Sequence, residues 1–141
     1  KAKDNNASCA IGPFIRLFDD RFTLKDVERC EVTLDIEGPE GHVLNAASRM
    51  SQISRSPADL VAQTLNPNHQ YPDGLMLLLG TMFAPIQDRH DPGQGFTHHL
   101  GDRVTITTPA LGALVNRVGR SDQLLPWTYG IRDLMRHLAQ R

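Results

Sequence analysis

Two carboxylates and three imidazoles fall within twelve residues of this chain: Asp88, His90, Asp91, His98 and His99. Such a set can ligate Zn²⁺ or Fe²⁺. Ligands normally sit on rigid elements, however, and Pro92, Gly93 and Gly95 interrupt this stretch, so the plain alternative is a polar loop with solvated histidines. Gly80-Thr81 closes the most apolar run of the sequence. A glycine there lets a ligand approach the backbone, and the threonine offers a hydroxyl and an N–H to an anion; the alternative is a strand leaving the core. Lys3 is one of three lysines against twelve arginines. A lysine ahead of a strand can pair with a substrate carboxylate or, tuned by burial, move a proton; on its own it is a solvated terminus. Ser8-Cys9 has no neighbouring base, so Cys9 reads as a small buried thiol rather than a nucleophile. There is no phosphate-binding glycine loop, no Gly-x-Ser-x-Gly, no CxxC and no His-Glu-x-x-His.

The elements that must position these residues are legible as patterns. Residues 31–36 alternate, with Val32, Leu34 and Ile36 facing one way and Glu31, Thr33 and Asp35 the other, which predicts a half-buried strand. Glu37-Gly-Pro-Glu-Gly41 is turn chemistry, and His42-Val43-Leu44 returns as the hairpin partner. Ser56-Pro57-Ala58-Asp59 predicts a helix start, with serine as cap, proline in the first turn and aspartate near the positive end of the helix dipole. Asn66-Pro67-Asn68 stops that helix. Residues 75–79 predict a buried strand, and residues 82–101 one long ordered loop. Residues 103–107 alternate again, and after Ala110-Leu111-Gly112 the chain returns over 113–118. Ile131, Leu134, Met135 and Leu138, together with Trp127, are spaced for one face of a terminal helix. Strands without βαβ alternation argue against a Rossmann fold.

Composition bounds the function. The chain has 141 residues, 40% hydrophobic and 22% charged, with a net charge of −1. That is a globular composition, with no bulk attraction for a polyanion. The longest apolar run, five residues, is too short to span a bilayer. Neither nucleic acid nor membrane is therefore expected as a partner. Two cysteines make no disulfide framework and suit a reducing, cytoplasmic setting. The opening Lys-Ala-Lys-Asp, without Met or signal peptide, suggests a piece of something longer.

Taken together, the order of segments resembles the C-terminal half of the fumarylacetoacetate hydrolase superfamily. The resemblance is carried by Lys3 with Ser8-Cys-Ala-Ile-Gly-Pro13, the strand at 31–36 and Ser51-Gln-Ile-Ser-Arg55. It continues through Tyr71-Pro-Asp-Gly-Leu75 to Gly80-Thr81, then Leu100-Gly-Asp-Arg-Val104 and Leu111-Gly-Ala-Leu-Val-Asn116. Ser-Cys-Ala-Ile-Gly-Pro and Tyr-Pro-Asp-Gly look most like the branch that dehydrates 2-keto-3-deoxy sugar acids, such as the arabinonate and xylonate dehydratases.

The resemblance implies an α+β, β-rich fold: part of a mixed β-roll with a C-terminal helix, residues 1–141 forming the C-terminal part of the catalytic domain. It implies a lyase in which Mg²⁺ or Mn²⁺ holds a 2-oxo acid and stabilises its enolate, in a cytoplasmic homodimer or homotetramer. Lys3 matches the family lysine facing the substrate, and Gly80 with Thr81 matches the Gly-Thr that grips the substrate carboxylate. The family's metal carboxylates, a Glu-x-Glu pair and a later Asp, precede that lysine. No metal ligand of that set is therefore expected in this chain, and the ligands are expected upstream of Lys1. Ala46-Ala47-Ser48 also stands where the family often has Gly-Glu-Thr. Two alternatives are a hydrolase cleaving C–C bonds in acylpyruvates or 2,4-diketo acids, and a non-catalytic β-rich binding module.

Overall fold

The computed structural model describes residues 9–80 and 84–141. They fall into two compact bodies. One is Ile11–Val118; the other joins Gly119–Arg141 to Cys9 and Ala10.

The larger body is built on a four-stranded sheet. Strands β1 (Glu31–Glu37), β2 (Val43–Arg49), β3 (Arg103–Thr108) and β4 (Gly112–Arg117) lie in the order β2-β1-β3-β4. All three pairings are antiparallel. The alternation read in the sequence sets the two faces, because residues directly opposite in an antiparallel pair share a face. Ile36 stands between Leu44 and Val104, and Leu34 between Ala46 and Ile106. Thr33, Asp35 and Glu37 take the opposite, polar face. The apolar face is covered at one end, where Ile36 is 0% exposed and Leu44 is buried. At the other end Gly12, Pro13 and Phe14 line a cavity of about 280 Å³ with Val32, Ile106, Leu111 and Leu114.

Two helices flank the sheet in sequence. Helix α1 (Leu24–Arg29) is opened by Asp26, whose carboxylate accepts hydrogen bonds from the Thr23 N–H and hydroxyl, both at 2.7 Å. This helix was not foreseen, although Thr-x-x-Asp is a helix-start signal that could have found it. Helix α2 (Pro57–Thr64) begins as its sequence predicts: Ser56 Oγ accepts from the Asp59 N–H at 3.2 Å, with Pro57 in the first turn. The C-terminal helix α3 (Ile131–Ala139) lies in the smaller body and starts after Gly130, whose N–H is bonded by Asp133. Trp127 lies before it; its indole N–H donates to the Tyr129 carbonyl.

The fold is thus a small α+β, β-rich arrangement with a C-terminal helix. Two expectations fail. Residues 75–79 form no strand, and Cys9 is exposed rather than buried. The free edges of the sheet lie at β2 and β4, and the run pairs with neither. The run instead turns alternate residues, Leu77 and Leu79, to an apolar groove lined by Phe18, Leu24, Val27, Pro57 and Val61. Met76 and Leu78 remain exposed. Residues 84–101 are a loop without helix or strand, as expected for 82–101 where it is described.

Candidate functional site

The sheet register brings one end of the β1–β2 hairpin to the start of β3. Glu37, the last residue of β1, pairs with Arg103, the first of β3. The hairpin turn beyond Glu37 and Asp102 before Arg103 therefore share one end of the sheet. The turn follows from its residues: Pro39 favours the second position of a β-turn, Gly41 closes it with φ +87°, and the Gly41 N–H donates to the Gly38 carbonyl at 3.0 Å. Glu40 is carried at the tip.

Arg89, from the long loop, docks here. Its Nη1 donates to Asp102 Oδ2 at 2.6 Å and its Nη2 to Asp102 Oδ1 at 2.7 Å. Nε and Nη2 donate to Glu40 Oε1 at 2.9 and 2.6 Å, and Nη1 also reaches the Thr97 carbonyl at 3.1 Å. The Arg89 and Asp102 side chains are 2% and 0% exposed. A charge this deep is tolerable only when paired and hydrogen-bonded, and the fork of arginine matches a carboxylate in two points. The Arg89 guanidinium, ahead of the His99 N–H, holds the Asp102 carboxyl well below the usual carboxylate range. The two carboxylates hold Arg89 charged, Asp102 the more strongly. A side chain at Gly38 would force a neighbour to shift, since a Cβ would stand 2.5 Å from Arg89 Nη2 and 2.7 Å from Glu40 Oε2.

Two imidazoles converge on the same carboxylate. His99 Nδ1 lies 3.6 Å and His90 Nε2 3.9 Å from Glu40 Oε1. The two rings are tilted against each other with centroids 4.8 Å apart. One donor atom from each of Glu40, His90 and His99 falls within 4.8 Å of the other two. The loop cluster expected from sequence is therefore only partly assembled. Asp88 turns away to accept the Gly93 and Gly95 N–H groups at 2.8 and 2.6 Å, which lower its pKa. His98 Nδ1 faces Asp102 Oδ2 at 3.4 Å. Asp91 is exposed and contributes its carbonyl to the turn at Gln94. Glu40 and Arg89 were not foreseen. Glu40 read as turn filler, and only the long-range pairing of β1 with β3 gives it a second role.

A second pocket surrounds Gly80. With φ +78°, Gly80 adopts a backbone conformation that residues with a side chain rarely take. It lines a cavity of about 220 Å³ together with Ser48, Met50, Ile53, Ser54, Arg55, Leu60 and Leu79. The volume lies below that of drug-sized sites and suits a small acid. Arg55 donates from Nε to Asp59 at 2.6 Å, and the rest of its fork carries further N–H groups. Lys3 and Thr81, the other two residues expected at a site, lie outside the described residues.

The resemblance implies Mg²⁺, which takes oxygen ligands in an octahedron and keeps several waters. Among the described residues the set able to hold a metal is Glu40, His90 and His99. Two imidazoles and one carboxylate do not fit that ion. No protein-family model matches the chain, and neither does any curated protein or solved structure.

Proposed function

We propose that this chain is part of a lyase that dehydrates a 2-keto-3-deoxy sugar acid. The observation that supports this reading is the pocket at Gly80. Two segments that carry the sequence resemblance, Ser51–Arg55 and the run ending at Gly80, are distant in sequence yet line one small cavity. The Gly80 backbone, the Ser54 side chain and the Arg55 guanidinium in this lining suit the carboxylate of a small 2-oxo acid. Apolar Met50, Ile53, Leu60 and Leu79 suit its carbon chain. In the reaction, a proton leaves C3 and the C4 hydroxyl departs as water. Negative charge builds on the 2-oxo oxygen, where a cation stabilises it. The resemblance assigns that proton and charge handling to Lys3, and the carboxylate grip to Gly80 with Thr81. The mixed β-roll, the cytoplasmic homo-oligomer and metal ligands upstream of Lys1 belong to the same proposal.

Product analysis on the complete gene product tests this. Incubation with 2-keto-3-deoxy sugar acids should give a product of unchanged carbon number that has lost one water. Two fragments from an acylpyruvate would identify the C–C hydrolase instead, and turnover of neither class would leave a binding module. Arg55→Met and Thr81→Val should each raise KM about tenfold or more, as one lost hydrogen bond to a charged group is worth about 1.5–3 kcal/mol. Lys3→Met should lower kcat by about a hundredfold or more.

A further inference from the structure

We infer that Glu40, His90 and His99 form a binding site for a transition-metal dication of the Zn²⁺ class. This site shares no residue with the Gly80 pocket.

The donor set is the first reason. Two imidazole nitrogens and one carboxylate oxygen are the ligand types of three-ligand zinc sites and of the two-histidine, one-carboxylate iron sites. The spacing is the second. Zn–N and Zn–O bonds of about 2.0–2.2 Å in a tetrahedron put donor atoms about 3.4 Å apart. Glu40 to His99 is 3.6 Å and Glu40 to His90 is 3.9 Å. The ligand atoms of the three residues lie within 4.8 Å of one another, so closing on an ion requires side-chain movements of about one ångström, with Oε2 turned to the metal. The third reason is the support behind the carboxylate. Arg89 grips Glu40 through two N–H groups and is itself locked by Asp102 and the Thr97 carbonyl. Partners of this kind fix the orientation of a metal-binding carboxylate. Both Arg89 N–H groups fall on Oε1, so the acceptor positions left for a metal are those of Oε2. The charges also permit a cation: Arg89, Asp102 and Glu40 sum to −1, and neutral imidazoles add nothing.

Three protein ligands leave a fourth position open to water, consistent with the half-exposed rings. Glu40 sits at a β-turn tip fixed by the sheet, whereas His90 and His99 come from the loop. Binding would therefore tie the loop to the hairpin at His90 and His99.

Calorimetric titration of the chain with ZnCl₂ provides the test, with Co²⁺ as a spectroscopic stand-in. The expected result is one ion per chain, with the intense visible bands of four-coordinate Co²⁺. His90→Ala, His99→Ala and Glu40→Gln should each weaken Zn²⁺ binding at least tenfold. Melting curves in EDTA should show these variants folded like the wild type. His69→Ala should leave affinity unchanged, because His69 Nδ1 faces the Asn66 side chain after α2. Absence of stoichiometric binding overturns the inference. So does binding that the three substitutions leave intact, or that His69→Ala weakens equally, since either marks adventitious surface binding. None of these readouts depends on lyase activity.

Discussion

Asp102 follows Arg89 by thirteen residues and is its two-point partner, with N–O distances of 2.6 and 2.7 Å and almost no solvent at either side chain. The pair joins the start of β3 to the long loop, and through Glu40 it reaches the β1–β2 turn. Asp102→Asn keeps the shape and removes the charge, leaving Arg89 buried with Glu40 and a carbonyl. Breaking a buried pair from one side costs about 3–5 kcal/mol; the remaining Glu40 contact places the expected loss at the low end, about 3 kcal/mol. Urea denaturation of the wild type and variant measures it. A loss below about 1 kcal/mol would show that Glu40 alone satisfies the guanidinium.

The same pair sets an acid limit. Arg89 lowers the pKa of Asp102 in the folded chain, so between the ordinary carboxylate value, about 3.9, and the lowered one the unfolded chain binds the proton more strongly. This contribution is complete above the unfolded value and is lost as pH falls through it toward the folded value. Glu40, held down by its own backbone N–H and by Arg89, changes in the same direction. Unfolding free energy measured against pH should therefore fall below about pH 5, with a shallower slope in Asp102→Asn. Equal slopes in both proteins would remove Asp102 from the account.

At the covered end of the sheet, Ile36 has no solvent exposure and stands between Leu44 and Val104. Ile36→Ala should cost about 2–5 kcal/mol, from lost transfer energy and the cavity left behind, and Ile36→Val about 0.5–1.5 kcal/mol. Val43→Ala, on the opposite face and exposed, should stay within about 0.5 kcal/mol. Denaturant midpoints for the three variants provide the comparison. Equal costs at positions 36 and 43 would mean that the apolar face is not the one buried.

Gly38 provides a steric test of the same hairpin end. A methyl group there would press on Arg89 Nη2 and Glu40 Oε2, both ends of side chains pinned by the ion-pair network. Gly38→Ala should therefore cost about 1–3 kcal/mol, the usual range for overpacking. Its effect should shrink in an Asp102→Asn background, where Arg89 is less constrained; a double-mutant cycle reads the coupling. Full additivity would mean that the new methyl is accommodated elsewhere.

The sequence alone determined the local structure of this chain. Alternation marked β1 and β3, Pro39 and Gly41 marked the turn, Ser56 to Asp59 marked the start of α2, and the spacing from Ile131 to Leu138 marked α3. Each signal is carried by neighbours a few residues apart, where steric and capping rules act directly. The Thr23–Asp26 cap of α1 was equally local and readable. Residues 75–79 show the limit of such rules: an apolar run can be buried by any apolar surface, and here Leu77 and Leu79 line the groove of α1 and α2 rather than pairing with an edge strand.

The candidate metal site was decided by tertiary structure. Sequence spacing grouped His90 and His99 with Asp88, Asp91 and His98, because proximity along the chain was the only measure it had. The antiparallel pairing of Glu37 with Arg103 carries Glu40 across some fifty positions to Arg89, at a separation of 49 residues. Asp88 is lost from the group because the Gly93 and Gly95 N–H groups capture its carboxylate. Which carboxylate meets the imidazoles thus depends on strand register and on competing hydrogen bonds, and neither is written in the identity of the residues themselves.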